Sequence, residues 1–318
     1  MSPENRLKED YPWTQSPLIA CAPMRLIALA PLAVEVSKAG GLGFIGAGND
    51  LFAAAEHPLP DTLPIGVGVL NWGADLDATL ALLRTYRPAA LWLFAARKLS
   101  DLQAWTQGAR DATAGATKVW IQVGSVADAV AVTLLCAPDV LVVQGQDAGG
   151  HGLERGAGIV SLVPEVHDAL LAALGPEGEA EGKMPVLLAA GGISEGRGVA
   201  AALALGAAGV VMGTRYLASP EAEISRGYRD EVVRASDGGQ TTVRSGVYDK
   251  LRGTIDWPPG LYNEAMKSGD KGWGVEGRLT TYAGTGVGLV KGVKGAKEIT
   301  EEVREDAKRV LKSLGSRL

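Results

Sequence analysis

An α/β architecture is what this sequence predicts, and within that class a TIM (β/α)8 barrel carrying a smaller lid-like segment near the C-terminus. Three observations point there. Eight short apolar runs recur between residues 18 and 212, and nearly every one is followed by a helical pattern; alternation of this kind implies a parallel sheet. Glycines cluster immediately after the sixth, seventh and eighth runs, at the strand ends where a barrel enzyme keeps its site. The chain has 318 residues, enough for one large barrel, for which about 250 is typical, or for two ordinary domains. A doubly wound open sheet is the competing architecture; the strand count and the glycine positions favour the barrel.

The elements follow in order. A first strand is expected at 18–24, closed into a loop by Pro23-Met24. A short helix at 33–39 starts after Pro31, as suits a first-turn proline, and Gly40-Gly41 ends it before a strand at 42–45. The third strand, 65–70, carries Asn71 at its end; the helix at 75–86 then presents Leu76, Leu80 and Leu83 on one face. A strand at 91–94, a helix at 99–110 and a strand at 119–123 come next, and Ser125 is placed to cap the helix that runs to Leu135. The sixth strand is 140–143, followed by a glycine-rich loop and a helix at 162–174. Residues 175–183 read as a charged, glycine-containing surface loop, leading to a strand at 186–190, a helix at 195–205 and the last strand at 210–212.

Beyond residue 228 the character changes: Trp257, Pro258, Pro259, Tyr262, Trp273 and Tyr282 are scattered among glycines and charges with no clear period. The expected division is therefore a barrel over 1–227, a lid or substrate segment over 228–282, and a tail over 283–318 whose amphipathic helix packs back on the barrel through Ile299, Val303 and Val310.

Composition narrows the partners. Hydrophobic residues make up 47% and charged residues 21% of the chain, a balance that buries a sizeable core. The net charge of −5 comes with no basic face, which argues against nucleic acid. Cys21 and Cys136 each sit in an apolar run and read as buried thiols of a reducing compartment. No uninterrupted apolar stretch approaches the roughly 18 residues of a membrane span, and the polar segment 1–15 lacks a signal core. The chain closes on Ser316-Arg317-Leu318, a conservative variant of the peroxisomal Ser-Lys-Leu address. An intracellular protein is expected, cytoplasmic, or peroxisomal in a eukaryote. A homodimer is compatible with all of this.

The chemistry gathers around residues 139–152. A β-branched apolar run, Val140 to Val143, suits a buried parallel strand, and four glycines follow within a few positions: Gly145, Gly149, Gly150 and Gly152. Inside that frame sits His151, whose imidazole titrates near neutral pH and which is the candidate catalytic residue. A plain βα turn with a backbone-bonded histidine is the alternative. His57 and His167 read as surface residues. The two strand ends Ala190-Gly191-Gly192-Ile193 and Met212-Gly213-Thr214-Arg215 each put bare backbone N–H groups ahead of a helix start, a pattern that favours phosphate and matches the usual phosphate loops of this barrel. Thr214 and Arg215 add a hydroxyl and a charge. Neither a dinucleotide nor a nucleoside-triphosphate fingerprint is present. FMN, with one terminal phosphate and a broad ring, suits such a mouth, with Asn71 and Gln122 available to the ring and Met24 to pack against it. No metal-ligand cluster stands out.

Four segments carry a resemblance: Ala22-Pro23-Met24, Gln146-Asp147-Ala148-Gly149-Gly150-His151-Gly152, Ala189-Ala190-Gly191-Gly192-Ile193 and Met212-Gly213-Thr214-Arg215. In this order the chain resembles the nitronate monooxygenase family, formerly the 2-nitropropane dioxygenases, from about residue 18 to 219, with a weaker echo at 284–289. The resemblance implies an FMN-dependent oxidoreductase that oxidises alkyl nitronates with O2 and needs no nicotinamide, with nitroalkanes such as 3-nitropropionate, or its nitronate, as further substrates. It implies His151 as the base and anion stabiliser. It also implies Ala22, Met24, Asn71, Gln122, Gly149 and Gly150 along the ring and ribityl chain, and Gly191, Gly192, Gly213 and Thr214 at the phosphate. Two other functions compete: an NAD(P)H-dependent FMN reductase of related fold, acting on enoyl thioesters or quinones, and a flavin-binding protein without turnover.

Overall fold

The computed structural model describes residues 1–48, 62–180, 182–267, 274–277 and 281–316. His57, Trp273, Arg317 and Leu318 lie outside the described residues.

The chain opens with helix α1 (Pro3–Asp10) and strand β1 (Leu18–Cys21), followed by α2 (Ala30–Lys38), β2 (Leu42–Gly48) and β3 (Leu63–Leu70). Then come α3 (Leu76–Tyr86), β4 (Pro88–Phe94), α4 (Leu99–Thr113), β5 (Lys118–Val123), α5 (Val126–Cys136) and β6 (Val140–Gln144). A short strand β7 (Gly150–Leu153) precedes α6 (Ile159–Ala180), β8 (Val186–Ala190), α7 (Gly196–Ala204), β9 (Gly209–Met212) and the single turn α8 (Thr214–Leu217). The remainder comprises α9 (Arg226–Arg234), α10 (Gly238–Thr241), β10 (Thr242–Ser245), α11 (Val247–Arg252), β11 (Leu261–Met266), a 3-10 turn at Thr285–Leu289 and α12 (Ala296–Gly315).

Strands β1 to β6 with β8 and β9 form a closed barrel. Every neighbouring pair is parallel, and the barrel closes where β1 meets β9 with Leu18 opposite Gly209 and Cys21 opposite Met212. This is the (β/α)8 barrel that the alternation of apolar runs and helices predicts. Strands covered on both faces have no polar side to show, and β6 and β8 are buried along almost all of their length.

Two apolar layers result. Between barrel and helices lie the outward residues of the strands, such as Ile19, Leu91, Ile121 and Leu141, packed on Leu32, Leu83 and Val132. Inside the barrel, Phe44, Trp92 and Trp120 meet edge-on or tilted, with ring centroids 4.9 to 5.8 Å apart. The base of this interior is stoppered by α1, a helix absent from the sequence reading. Ser2 caps it and Pro3 occupies its first turn; Leu7 and Tyr11 then enter the interior, and Trp120 Nε1 donates to the Tyr11 hydroxyl at 2.7 Å. Burial drives the Tyr11 phenol far above its ordinary pKa, so it stays protonated.

Two other departures from the sequence reading concern local structure. Residues 175–183, read as a loop, are largely helical: α6 runs on to Ala180 across a kink at Gly175, because Pro176 restarts a helix as a first-turn residue. α6 is also the one described helix long and apolar enough to cross a bilayer; here Leu162, Val163, Val166 and Leu170 bury its inner face against the barrel. The glycine-rich loop after β6 contains a strand, β7, which joins β11 and β10 in a small antiparallel sheet over the barrel mouth.

At the far end of the chain, α12 lies along α7 and α2. Its Arg304, 1% exposed, donates to the carbonyls of Ala39 and Gly40 at 2.8 Å each.

Candidate active site

A cavity of about 280 Å³ opens at the C-terminal ends of the barrel strands, beneath the small sheet. Its floor is made by the barrel: Ala22 and Met24 after β1, Gln122 on β5, Gly191 and Gly192 after β8, and Gly213 and Thr214 after β9 all line it. Gly149, Gly150 and His151, at the start of β7, line its side, and Trp257, Asn263 and Tyr282 complete the cap. Asn71 stands apart. Its neighbours Leu70 and Trp72 border the cavity, but Asn71 does not; its amide is buried, and neither Nδ2 nor Oδ1 has a partner among the described residues.

The floor is shaped by glycine. Gly191 and Gly192 take φ of 109° and 72°, left-handed conformations that L side chains rarely adopt. Gly213 is different: a Cβ there would meet only Ala22 Cβ at 3.7 Å and Met24 Sδ at 3.8 Å. Nothing in the fold forbids a side chain at Gly213; what it would fill is cavity. Gly149 is glycine for close packing, since a Cβ would lie 2.5 Å from the amide nitrogen of Gly284. The 3-10 turn is thereby pressed onto the loop, and Gly284 N–H donates to Thr214 Oγ1 at 3.1 Å while Thr285 Oγ1 donates to Asp147 at 2.6 Å. Arg215, expected from the sequence to favour a bound anion, turns away from the cavity and donates to the Gly292 carbonyl at 3.2 Å.

A line of amides runs from the barrel interior to the histidine. Trp92 Nε1 donates to Gln122 Oε1 at 3.2 Å, Gln122 Nε2 to Gln144 Oε1 at 2.7 Å, and Gln144 Nε2 to the backbone carbonyl of His151 at 2.9 Å. Gln122 thus faces inward, and the backbone of His151 is tied to the barrel. Arg244 on β10 ties it to the cap: its guanidinium donates to the carbonyls of Tyr262 at 2.8 Å, Ala148 at 2.9 Å and Gln146 at 3.2 Å, with Glu264 3.5 Å away. Both charged side chains are 8% exposed.

The imidazole is held as firmly as the backbone. His151 Nε2 is 3.0 Å from Asp249 Oδ1, with the two side chains only 12% and 9% exposed. Asp249 also accepts from Thr254 Oγ1 at 3.2 Å. The indole of Trp257 stacks on the imidazole, centroids 3.4 Å apart and planes 14° from parallel. Burial pulls the His151 pKa below its ordinary value; the hydrogen bond and charge of Asp249 pull it back up, and Arg244 opposes that. With Nε2–H given to the carboxylate, Nδ1 of the neutral ring carries the free lone pair, the state required of a base. Asp249, Trp257, Asn263 and Gln144 were not singled out by the sequence as site residues. Only the aromatic character of Trp257 in a patternless segment hinted at a role.

The fold and the site together define an α/β-barrel enzyme with a buried, carboxylate-oriented histidine over a glycine-floored cavity. The sequence profile of the nitronate monooxygenase family matches residues 105–253, a span that includes both His151 and Asp249. The nitronate monooxygenase npaC of Metarhizium robertsii is 47% identical, the match covering 98% of this chain and 97% of that protein. A nitronate monooxygenase of Neurospora crassa is 35% identical over 97% and 94% of the two chains. The chain therefore belongs to the nitronate monooxygenase family. Among solved structures, FabK from Thermotoga maritima superimposes with a TM-score of 0.75 at 23% identity, covering 98% of this chain and 99% of that one. The nitroalkane oxidase of Streptomyces ansochromogenes does so with 0.72 at 20% identity, covering 97% and 99%. These two likenesses concern the barrel fold.

Proposed function

We propose that this protein oxidises alkyl nitronates, and the nitroalkanes that ionise to them, with molecular oxygen, using FMN bound in the barrel mouth. The observation that carries this reading is the Asp249-oriented imidazole of His151 facing the same cavity as the glycine floor. The residues present fit an FMN. The open space over Gly213, which a Cβ would fill, and the adjoining Gly192 and Thr214 suit a phosphate. Met24, Gln122 and Gly150 border the room left for a ribityl chain and ring.

An FMN held by these residues would supply the redox chemistry, taking electrons from the substrate and passing them to oxygen. The chain supplies position and proton chemistry. A neutral nitroalkane loses its α-proton to Nδ1 of His151, while Asp249 holds Nε2–H and stabilises the imidazolium that forms. A preformed nitronate needs no base and meets instead an imidazole able to attract the anion. Trp257, Trp72 and Phe94 wall the cavity with apolar surface, which limits water near the reacting carbon.

The test is an anaerobic spectrum of the flavin-loaded protein mixed with ethyl nitronate and, separately, with NADPH. Bleaching by the nitronate and not by NADPH is expected. Bleaching by NADPH alone would assign the protein to the reductases instead, and absence of any flavin would remove the cofactor from the reading.

A further inference from the structure

We infer that the side-chain amide of Asn263 binds an oxygen of the substrate's nitro group and stabilises the charge that forms on it as His151 takes the α-proton. The inference rests on the function proposed above and names a residue for it.

Asn263 sits on β11 directly opposite His151 on β7. Residues so paired across an antiparallel ladder project from the same face, with their Cβ atoms about 5 Å apart. Asn263 is 1% exposed, lines the cavity, and neither its Nδ2 nor its Oδ1 has a partner among the described residues. A buried amide is almost always hydrogen-bonded, because leaving it unpaired forfeits its hydration without return. The charged neighbours on this wall are already engaged: Asp249 with His151 and Thr254, and the Arg244 guanidinium with the loop carbonyls and Glu264. The partner of Asn263 is thus something that enters the cavity.

The chemistry of the proposed substrate identifies it. Removing the α-proton of a nitroalkane moves negative charge onto the two nitro oxygens, which are acceptors only. An N–H donor waiting at those oxygens gains strength as the charge develops, so it favours the transition state over the bound reactant. A neutral amide does this without closing the site to an uncharged nitroalkane, and it leaves the imidazole uncharged as a base. Trp257 Nε1, also without a partner among the described residues, is a second N–H on the same wall. Position on the cap beside His151, rather than at a barrel strand end, assigns Asn263 to the substrate and not to the phosphate or ring beneath.

The experiment compares the flavin-loaded native enzyme with Asn263→Leu and Asn263→Asp, by anaerobic flavin reduction with ethyl nitronate and with nitroethane. Flavin content and thermal midpoint are measured on each. Leu keeps the volume and removes the donor: nitronate affinity is expected to fall about tenfold or more, with flavin content unchanged. Asp keeps the shape and adds a negative charge, so it is expected to penalise anionic nitronate more than neutral nitroethane, an asymmetry that a purely structural role does not produce. Should Asn263→Leu fail to fold, Asn263→Ser takes its place. Native affinity for both substrates in the variants overturns the inference while leaving the function intact. Loss of flavin with normal nitronate binding in the loaded fraction also overturns it, by moving Asn263 to the cofactor. A native enzyme that ethyl nitronate does not reduce would sink the function and this inference with it.

Discussion

His151 Nε2 and Asp249 Oδ1 stand 3.0 Å apart although 98 residues separate them in the chain. The strand that bears the histidine belongs to the barrel's sixth βα connection, and the carboxylate comes from a six-residue helix of the cap, so the pair exists only once the small sheet has docked over the mouth. Replacing Asp249 by Asn keeps the size and removes the charge. The expected result is a loss of about tenfold or more in kcat/KM for nitroethane, since an oriented imidazole loses its favoured tautomer and basicity. Ethyl nitronate, already ionised, should be turned over almost normally. Steady-state oxygen consumption with the two substrates checks this.

His151→Asn removes the base itself. Turnover of nitroethane is expected to fall by roughly two to four orders of magnitude, the usual worth of a positioned general base, with a much smaller loss for ethyl nitronate. Equal losses on the two substrates would reject a proton-transfer role.

The pH dependence follows from burial. Desolvation holds the folded-state pKa of His151 below its ordinary 6.5, so the neutral, basic form persists to lower pH than in a free imidazole. The kcat/KM for nitroethane should therefore rise with pH through one ionisation whose midpoint lies below 6.5 and be level above it. Preformed nitronate should lack that limb. Because Asp249 raises the pKa, Asp249→Asn should move the midpoint to still lower pH. The linkage has the same sign for stability: the unfolded chain binds the proton more readily, so this residue's contribution is present above the unfolded pKa and is lost as pH falls through the window below it.

Gly213→Ala separates the fold from the cofactor. Its Cβ would contact the protein only at 3.7 Å and beyond, so the apoprotein should unfold within about 0.5 kcal/mol of native, as harmless substitutions do. The same methyl occupies the space proposed for the phosphate. The variant should purify with little flavin and need more FMN to reload, as read from the flavin absorbance of the purified protein.

Arg244→Met tests the clamp beneath the histidine. The change strips donors from the carbonyls of Gln146, Ala148 and Tyr262 and leaves Glu264 without its counter-ion. Breaking a buried pair by removing one partner costs about 3 kcal/mol or more. Urea unfolding should show that loss, and nitroethane turnover should fall as the His151 loop loosens.

The barrel was legible in the sequence because its cause is local. Val140 to Val143 and Val186 to Ala190 are short, continuous and apolar, and strands buried on both faces have no other pattern. His151 stood out because glycines surround it. Its partners did not, because their roles are set by tertiary approach: Asp249 is one acidic residue among many, and Asn263 gains meaning only from the register that puts it opposite His151. Arg215 shows the converse. It follows Gly213-Thr214 in sequence, yet one step along a helical turn rotates it outward toward Gly292. α1 was missed because a short polar helix with two inward residues, Leu7 and Tyr11, has almost no periodic signal.

The grip of Arg304 on the carbonyls of Ala39 and Gly40 has a consequence for synthesis. Those carbonyls emerge from the ribosome with the first βα unit, and their buried donor is made some 260 residues later in the chain. At about 5–20 residues per second, that interval is on the order of tens of seconds. For most of it β9, which ends at Met212, is unmade, so the β1 edge that it will pair stands open and the nascent protein is a partial barrel. Whatever guards that edge in the cell must act until β9 arrives, and the grip of Arg304 then locks a seam that is already closed.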